Sequence, residues 1–192
     1  MNYHVWWPGQ GNDPMYLANI KMNRIRNDYY GNNYTPHMFT NGNDSGSNTT
    51  NWKNDPNDYL EELGMYGIRI SGNQSGYDIF FDIELDAVKS TASSRDLRLF
   101  IATVMGEVKY DGSANGLTEH HNAVIELLTG DTGKSITLTS GVVTKESFTW
   151  SMRSEWINHA YFSYDISGLK VVAWIQDYNS KEVLQVTEFD FD

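Results

Sequence analysis

The chain has 192 residues, no cysteine, and a formal net charge of −11 from 25 acidic and 14 basic residues. The absence of cysteine excludes disulfides, thiolate catalysis and cysteine-based zinc sites. An acidic surface repels phosphate groups, so we expect neither nucleic acid nor an anionic membrane surface as a partner. With 40% hydrophobic and 14% aromatic residues, the composition predicts a folded core, and no apolar run is long enough to span a bilayer.

The beginning of the chain alternates strand and helix patterns. Residues 4–7 are largely apolar and predict a short strand, which Pro8-Gly9 ends. Asp13-Pro14 predicts the start of a helix, because aspartate is a good N-cap and proline fits the first turn. Gly31 is placed to end this helix as a left-handed cap. The predicted buried stripe of the helix consists of Leu17, Ile20, Arg24/Ile25 and Tyr29.

A second strand, a loop and a second helix are predicted next. Residues 35–39 predict the strand, and Asn41-Gly42 predicts the turn after it. Residues 41–58 are rich in Asn, Asp, Ser and Gly and predict a polar loop. Asp55-Pro56 predicts a short helix that continues to residue 64 with Leu60 and Leu63 on its apolar side.

From residue 66 onward, short β-rich segments alternate with turn clusters. In residues 80–85, acidic and apolar side chains alternate, which indicates one solvent-facing side and one buried side. Many short strands at this spacing predict an antiparallel β-sandwich. The predicted strands cover residues 68–71, 77–88, 97–110, 123–128, 135–138, 146–152, 160–164, 169–176 and 182–191.

Two segments of the predicted sandwich have sequences typical of a known family. Residues 172–177, V-A-W-I-Q-D, continued by residues 181–185, resemble the terminal hairpin of the Omp28-related envelope proteins of Bacteroidetes-type bacteria. Residues 119–124, E-H-H-N-A-V, resemble the His-Asn-His-Val segment of that family. Members of the family are similar to a thioredoxin-like domain followed by an immunoglobulin-like β domain.

The N-terminal part resembles the second half of the thioredoxin-like domain. Residues 3–8 resemble the strand after its first helix, residues 26–31 and Thr35-Pro36 resemble the approach to its cis-proline, and Asn41-Gly42 resembles the turn that follows. We therefore expect a cis peptide bond before Pro36. The family's Cys-x-x-Cys has no counterpart here, so the thiol–disulfide exchange that such a fold implies is excluded.

The predicted fold is mainly β, with a partial thioredoxin-like α/β segment over residues 1–65 and an immunoglobulin-like sandwich over residues 66–192. We expect a truncated or divergent family member, without a signal peptide in this chain. A thioredoxin-like sheet without its central strand leaves backbone groups unpaired. The strands at residues 4–7 and 36–39 are therefore expected to pair with each other, or with a second copy in a homodimer.

The candidate ligand-binding residues are His4, Trp6, His37 and Trp52. A neutral histidine hydrogen-bonded beside tryptophan is the favoured alternative role for His4 and His37. The aromatic residues of the N-terminal part are dense enough to form a ligand platform, although packing in the core or between the two parts is favoured. These aromatic residues are Trp6, Trp7, Tyr29, Tyr30, Tyr34 and Trp52.

Glu119 and His121 are the candidate metal ligands. Adjacent strand residues point to opposite faces, so His120 and His121 cannot easily share one ion, whereas Glu119 and His121 share a side. A polar strand end without metal function is the favoured alternative, because no ligand spacing such as His-Glu-x-x-His is present.

The sequence identifies no catalytic residue and predicts no cofactor. The family resemblance implies a non-catalytic binding or scaffolding protein, located in the bacterial cell envelope or secreted, with an unknown ligand. The alternative is a hydrolase with its site at the junction of the α/β segment and the sandwich, using His4, His37 or His121 as the base.

Overall fold

The structure is a computed structural model that describes residues 1–7, 12–113, 115–157, 163–164 and 168–191. The fold is mainly β, with two antiparallel sheets packed as an open sandwich and a small helical part. The helices are α1 (Pro14–Ala18), α2 (Ile20–Tyr30), α3 (Thr49–Asn54) and α4 (Ser154–Ile157), with a 3₁₀ helix at Asp55–Tyr59. The strands are β1 (Met38–Thr40), β2 (Asn43–Gly46), β3 (Tyr66–Ser75), β4 (Asp78–Ala87), β5 (Leu97–Lys109), β6 (Glu119–Leu127), β7 (Lys134–Ser135), β8 (Thr144–Ser151), β9 (Ser163–Tyr164), β10 (Leu169–Asp177) and β11 (Val183–Asp190).

The sandwich is formed by β3–β11. The larger sheet has the order β11-β10-β5-β6, with β7 and β9 also paired to β5, and the smaller sheet has the order β3-β4-β8. Each predicted strand segment after residue 66 overlaps one of these strands, which confirms the β-rich prediction, although the segment 135–138 shares only Ser135 with β7. Residues 160–162 lie outside the described residues. None of the described helices is long and apolar enough to cross a membrane.

Strand β4 shows the predicted two-sided pattern. Ile83 and Leu85 are each 1% exposed and belong to the core between the sheets. On the outer side, Lys145 lies 3.0 Å from Asp82, and Arg69 lies 3.3 Å from Glu84. The acidic residues of β4 therefore belong to a solvated face with basic partners on the neighbouring strands.

Several local predictions for the N-terminal part are confirmed. Asp13 accepts hydrogen bonds from two helix amides and caps α1. Gly31 ends α2 with a φ of 66°, and the Thr35–Pro36 peptide bond is cis. The Asn41-Gly42 pair turns β1 into β2, and both of its residues have positive φ, as a two-residue hairpin requires.

The predicted single helix and its buried stripe are wrong. Asn19 separates α1 from α2, and its side chain caps α2 by accepting from the Met22 amide at 3.2 Å. Because α2 starts again from this cap, it presents a different face, and Leu17 and Ile20 are 48% and 41% exposed. The buried residues of α2 are Met22, Asn23 and Arg26.

The predicted strand at residues 4–7 is also wrong. Asn2 forms a parallel bridge with Ala123 of β6, and the amide of His4 donates to the Asn23 side chain at 3.2 Å instead of to a strand. Strand β1 pairs with β2 in a local hairpin. The expected pairing between residues 4–7 and 36–39 is therefore absent from the described structure, while the homodimer stays a prediction.

The predicted polar loop at residues 41–58 contains β2, α3 and the start of the 3₁₀ helix. Asn48 caps α3 by accepting from the Thr50 amide at 2.8 Å, so asparagine here starts a helix rather than a loop. The helix predicted to reach residue 64 ends at Tyr59, and Leu60 and Leu63 are 75% and 89% exposed.

Helix α2 packs on the outer face of the larger sheet, with Arg26 at the centre of the contact. The Arg26 side chain is buried at 3% exposure, and its guanidinium lies 4.7 Å from the ring centre of Phe100 and 5.8 Å from that of Trp174. The rings of Phe100 and Trp174 stack on each other at 5.0 Å. The guanidinium also lies within 5.7 Å of the rings of Tyr3, Tyr29 and Tyr30. We call these five rings the aromatic cage.

The Tyr30 hydroxyl links the aromatic cage to β10 by hydrogen bonds. It accepts from Arg26 Nη2 at 3.2 Å and from Gln176 Nε2 at 3.1 Å. Burial raises the pKa of Tyr3 to about 12, although the charge of Arg26 opposes this shift. Helix α2 is therefore attached to the sheet through cation–π contacts and a partly buried pair of hydrogen bonds.

Replacing Arg26 by alanine should lower the free energy of unfolding by about 2–4 kcal/mol, because it removes desolvated cation–π contacts and leaves a cavity. Arg24→Ala is the matched control on the same helix. Arg24 is exposed and lies 4.9 Å from the Trp6 ring, so its loss should be about 1 kcal/mol or less. Urea unfolding measures the free energy of unfolding of both variants. Equal losses of stability would contradict the role given to the aromatic cage.

Gly42→Ala should destabilise the protein more than Gly31→Ala. Both glycines have positive φ, but a Cβ on Gly42 would overlap the Lys181 carbonyl, whereas a Cβ on Gly31 meets nothing within 4 Å. We expect about 1 kcal/mol for Gly31→Ala from the backbone conformation alone, and about 1–3 kcal/mol more for Gly42→Ala. Thermal or urea unfolding measures the stability of both variants. If Gly42→Ala loses no more stability than Gly31→Ala, the close approach of Gly42 to the Lys181 carbonyl is contradicted.

Candidate functional site

His120 and His121 are neighbours on β6 and lie on opposite sides of the larger sheet. Val108 is the register partner of His120, and Glu107 is that of His121. Val108 belongs to the core between the two sheets, and neighbouring strand residues point to opposite faces. His120 therefore lies on the core side, and His121 lies on the outer side.

An irregular step in both strands produces this arrangement. Met105 and Val108 both belong to the core although they are three residues apart, which regular alternation does not allow. Gly106 lies between them, and on the opposite strand Asn122 has a φ of 54°. A residue with positive φ breaks the strand conformation, so the facing of residues 119–121 is reversed relative to the rest of β6.

His4 meets His120 on the core side. The centroids of the two rings are 5.9 Å apart. His4 Nδ1 lies 2.8 Å from Asp13 Oδ2, and the other oxygen of Asp13 accepts from the Met15 amide. Burial by itself would raise the pKa of Asp13, but the hydrogen bonds from His4 and the helix amides hold that pKa below its ordinary value. The carboxylate thus fixes the orientation of the His4 ring.

Among the described residues, five buried side-chain nitrogen or oxygen atoms have no hydrogen-bond partner, and two of them are His120 Nε2 and, in the N-terminal segment that carries His4, Trp7 Nε1. Burial lowers the pKa of His120 below its ordinary value, and the nearby His4 lowers it further, which favours the neutral ring. Trp7 packs edge-on against Trp6 at 4.5 Å. Because buried polar atoms are nearly always satisfied by protein, water or ligand, each of these two atoms is open to a hydrogen bond with a further polar molecule. We call His4, Trp6, Trp7, Asp13 and His120 the junction cluster.

A second group of residues lies on the outer side. Glu107, Glu119 and His121 each offer one ligand atom, and these three atoms lie within 4.8 Å of one another. Lys109 Nζ lies 3.4 Å from Glu107. The predicted candidates Glu119 and His121 therefore share a side, as alternation implied, and Glu107 is a residue that the sequence analysis missed. We call the three residues the outer-face cluster.

The predicted ligand-binding residues fall into two places. His4 and Trp6 belong to the junction cluster, whereas His37 and Trp52 lie near the β1–β2 hairpin. The side chain of His37 is 4% exposed and lies 2.6 Å from Asn32 Oδ1 and 2.7 Å from Asp44 Oδ1. Trp52 donates its indole N–H to the Gly46 carbonyl at 2.8 Å. Both side chains near the hairpin thus have structural partners.

The aromatic residues near the hairpin form a continuous row rather than a flat platform. The centroids of neighbouring rings along the row lie between 4.1 and 5.0 Å apart, so each ring contacts at least one other. The row connects β1 to the turn after β10 and so stabilises the packing of the N-terminal part. Its members are Tyr34, His37, Phe39, Tyr30, Tyr29 and Tyr178.

No family model matches this chain, and no curated protein matches it. Among solved structures, the chain is similar to a domain of the outer membrane lipoprotein Omp28 from Porphyromonas gingivalis, with 9% identity over 68% of this chain and 91% of that chain and a TM-score of 0.48. It is also similar to the E. coli curli protein CsgC, with 13% identity over 65% of this chain and 97% of that chain and a TM-score of 0.32. A similarity to a β-glucosidase from Listeria innocua covers 84% of this chain but 19% of that chain, with 10% identity and a TM-score of 0.34. None of these similarities identifies a function for this chain.

The lowered pKa of His120 predicts a pH dependence of stability. Between this lowered pKa and the ordinary value of 6.5, the unfolded chain binds the proton more readily than the folded protein, so stability falls as the pH decreases. In His120→Asn, the loss of stability between pH 7 and pH 5 should be smaller than in the wild type. Urea unfolding of the wild type and His120→Asn at the two pH values measures this difference. If both proteins lose the same stability between pH 7 and pH 5, the inferred titration of His120 is contradicted.

Proposed function

We propose that the protein is a non-catalytic binding protein of the bacterial cell envelope and that the junction cluster is its ligand site. The observation that carries this proposal is the pair of buried polar atoms, His120 Nε2 and Trp7 Nε1, that lack a partner among the described residues. A buried polar group without a hydrogen bond costs about 1–3 kcal/mol, and a bound molecule can offset that loss.

The chemistry of the two atoms favours a neutral ligand rich in hydroxyl groups. An indole N–H only donates, whereas Nε2 of a neutral histidine accepts or donates according to its tautomer. A hydroxyl group does both and can therefore satisfy either atom. Trp6, beside Trp7, adds an apolar ring surface, which suits the C–H face of a sugar-like molecule.

The junction cluster is also fixed in position. Asp13 holds His4, and the amide of His4 donates to the buried Asn23 side chain of α2. The side chain of His4 is 16% exposed and that of Asp13 is 33% exposed, so solvent reaches part of the cluster. A site on fixed, partly open residues binds with little loss of side-chain freedom.

The envelope location and the division into residues 1–65 and 66–192 belong to the same proposal. Both rest on the resemblance of residues 119–124 and 172–177 to the Omp28-related proteins. The open sandwich of β3–β11 is consistent with the C-terminal part of that division.

A hydrolase is the second candidate, and the His4–Asp13 pair is the observation that favours it. A carboxylate that orients a histidine is the arrangement of a general base. Among the described residues, however, no serine or threonine hydroxyl is hydrogen-bonded to a histidine ring.

Two variants separate the candidates. Trp7→Phe removes the indole N–H together with part of the ring, and His120→Ala removes the unsatisfied nitrogen, so both should weaken the binding of a panel of mono- and oligosaccharides measured by calorimetry. His37→Ala is the control and should bind as the wild type does. Turnover of ester or glycoside substrates that disappears in His4→Ala would overturn the binding function, as would saccharide binding that is unchanged in both Trp7→Phe and His120→Ala.

A further inference from the structure

The outer-face cluster is built on two paired strands and is separate from the junction cluster. Glu107 of β5 lies directly opposite His121 of β6, and Glu119 follows on the same side of β6 two residues away. Asn2 tethers this part of β6, because its side chain donates to the His121 carbonyl at 2.6 Å and its amide donates to the Asn122 carbonyl at 2.7 Å. The backbone that carries the three side chains is therefore held on both sides.

The distances suit a shared ion. The three ligand atoms lie within 4.8 Å of one another, whereas ligands of one tetrahedral zinc ion are about 3.3–3.6 Å apart, given bonds of about 2.0–2.2 Å. Glutamate has three side-chain torsions, so rotation of exposed Glu119 and half-buried Glu107 can close the remaining gap. No movement of the strands is needed.

The charge of the cluster favours a cation. Two carboxylates repel each other unless a positive charge lies between or beside them. Lys109 supplies part of that charge at 3.4 Å from Glu107, but its side chain is 66% exposed and flexible. A divalent ion can take over this role, and Lys109 then competes with it.

We propose that Glu107, Glu119 and His121 form a binding site for a divalent transition-metal ion, with Zn²⁺ as the best fit. One imidazole nitrogen with two carboxylate oxygens is a ligand set of zinc and its neighbours in the transition series, whereas calcium and magnesium prefer oxygen ligands alone. Three protein ligands leave at least one coordination position for water or for an external group. The site bridges β5 and β6 on the face opposite to His120.

Calorimetric titration of the metal-free full chain with zinc chloride tests the site, with one ion per chain as the expected result. His121→Ala and Glu107→Gln should each weaken binding at least about ten-fold, since even loss of an outer-shell partner has that effect. Lys109→Met removes the competing ammonium and should tighten binding. His37→Ala is the control and should leave the zinc affinity unchanged. The His37 side chain is mostly buried, and its partners are Asn32 and Asp44 rather than residues of β6.

A second measurement uses the unaltered protein. In NMR spectra, the ring signals of His121 should shift during the zinc titration while those of His37 stay in place. Absence of stoichiometric binding would overturn the proposal. It would equally be overturned if binding were lost in His120→Ala and kept in His121→Ala, because the ion would then lie in the junction cluster.

Discussion

The burial of the Arg26 guanidinium among aromatic rings is the interaction on which the arrangement of the N-terminal part depends. Removing a guanidinium from water carries a penalty of several kcal/mol, and here rings rather than carboxylates surround it in the described part of the chain. Cation–π attraction is strongest when the charge is desolvated, so each ring contributes more here than it would at the surface. The contact also sets the position of α2, and through Asn23 that of His4.

An irregular step at Gly106 and Asn122 of the β5–β6 pair separates the two candidate sites. Without the positive φ of Asn122, regular alternation would place Glu107 and His121 on the same side as Met105 and Ala123, inside the core. The reversal instead puts polar ligand atoms outside and places His120 against the N-terminal segment. Two adjacent histidines thereby acquire different surroundings: His120 is half-buried with a lowered pKa, and His121 is exposed beside carboxylates.

The strands of the sandwich could be predicted because their signals are local. Alternation along residues 80–85 and the turn residues between segments depend on neighbours in sequence, and the same holds for the Asp13 cap and the Asn41-Gly42 turn. The short apolar run at residues 4–7 lacked such support, since side-chain packing on a helix explains it as well as a strand does. Arg26 was missed because a charged residue on a helix is usually exposed, and only its aromatic partners on β5 and β10 make burial favourable.

The candidate sites also combine features that depend on neighbours in sequence with features that depend on the fold. Glu119 and His121 could be predicted to share a side because they lie two residues apart on one strand. Glu107 could not, because its position depends on the register between β5 and β6, which no local pattern records. The orphaned nitrogen of His120 follows from burial by a segment more than a hundred residues away in sequence, so only the folded structure shows it.

The aromatic cage also determines the order in which the chain can assemble during synthesis. Arg26 is synthesised well before Phe100 and Trp174, which cover it. Until those residues are present, residues 14–30 stay largely unstructured, because isolated helices of this length are marginal in water. Their docking therefore follows the joining of β5 to β10.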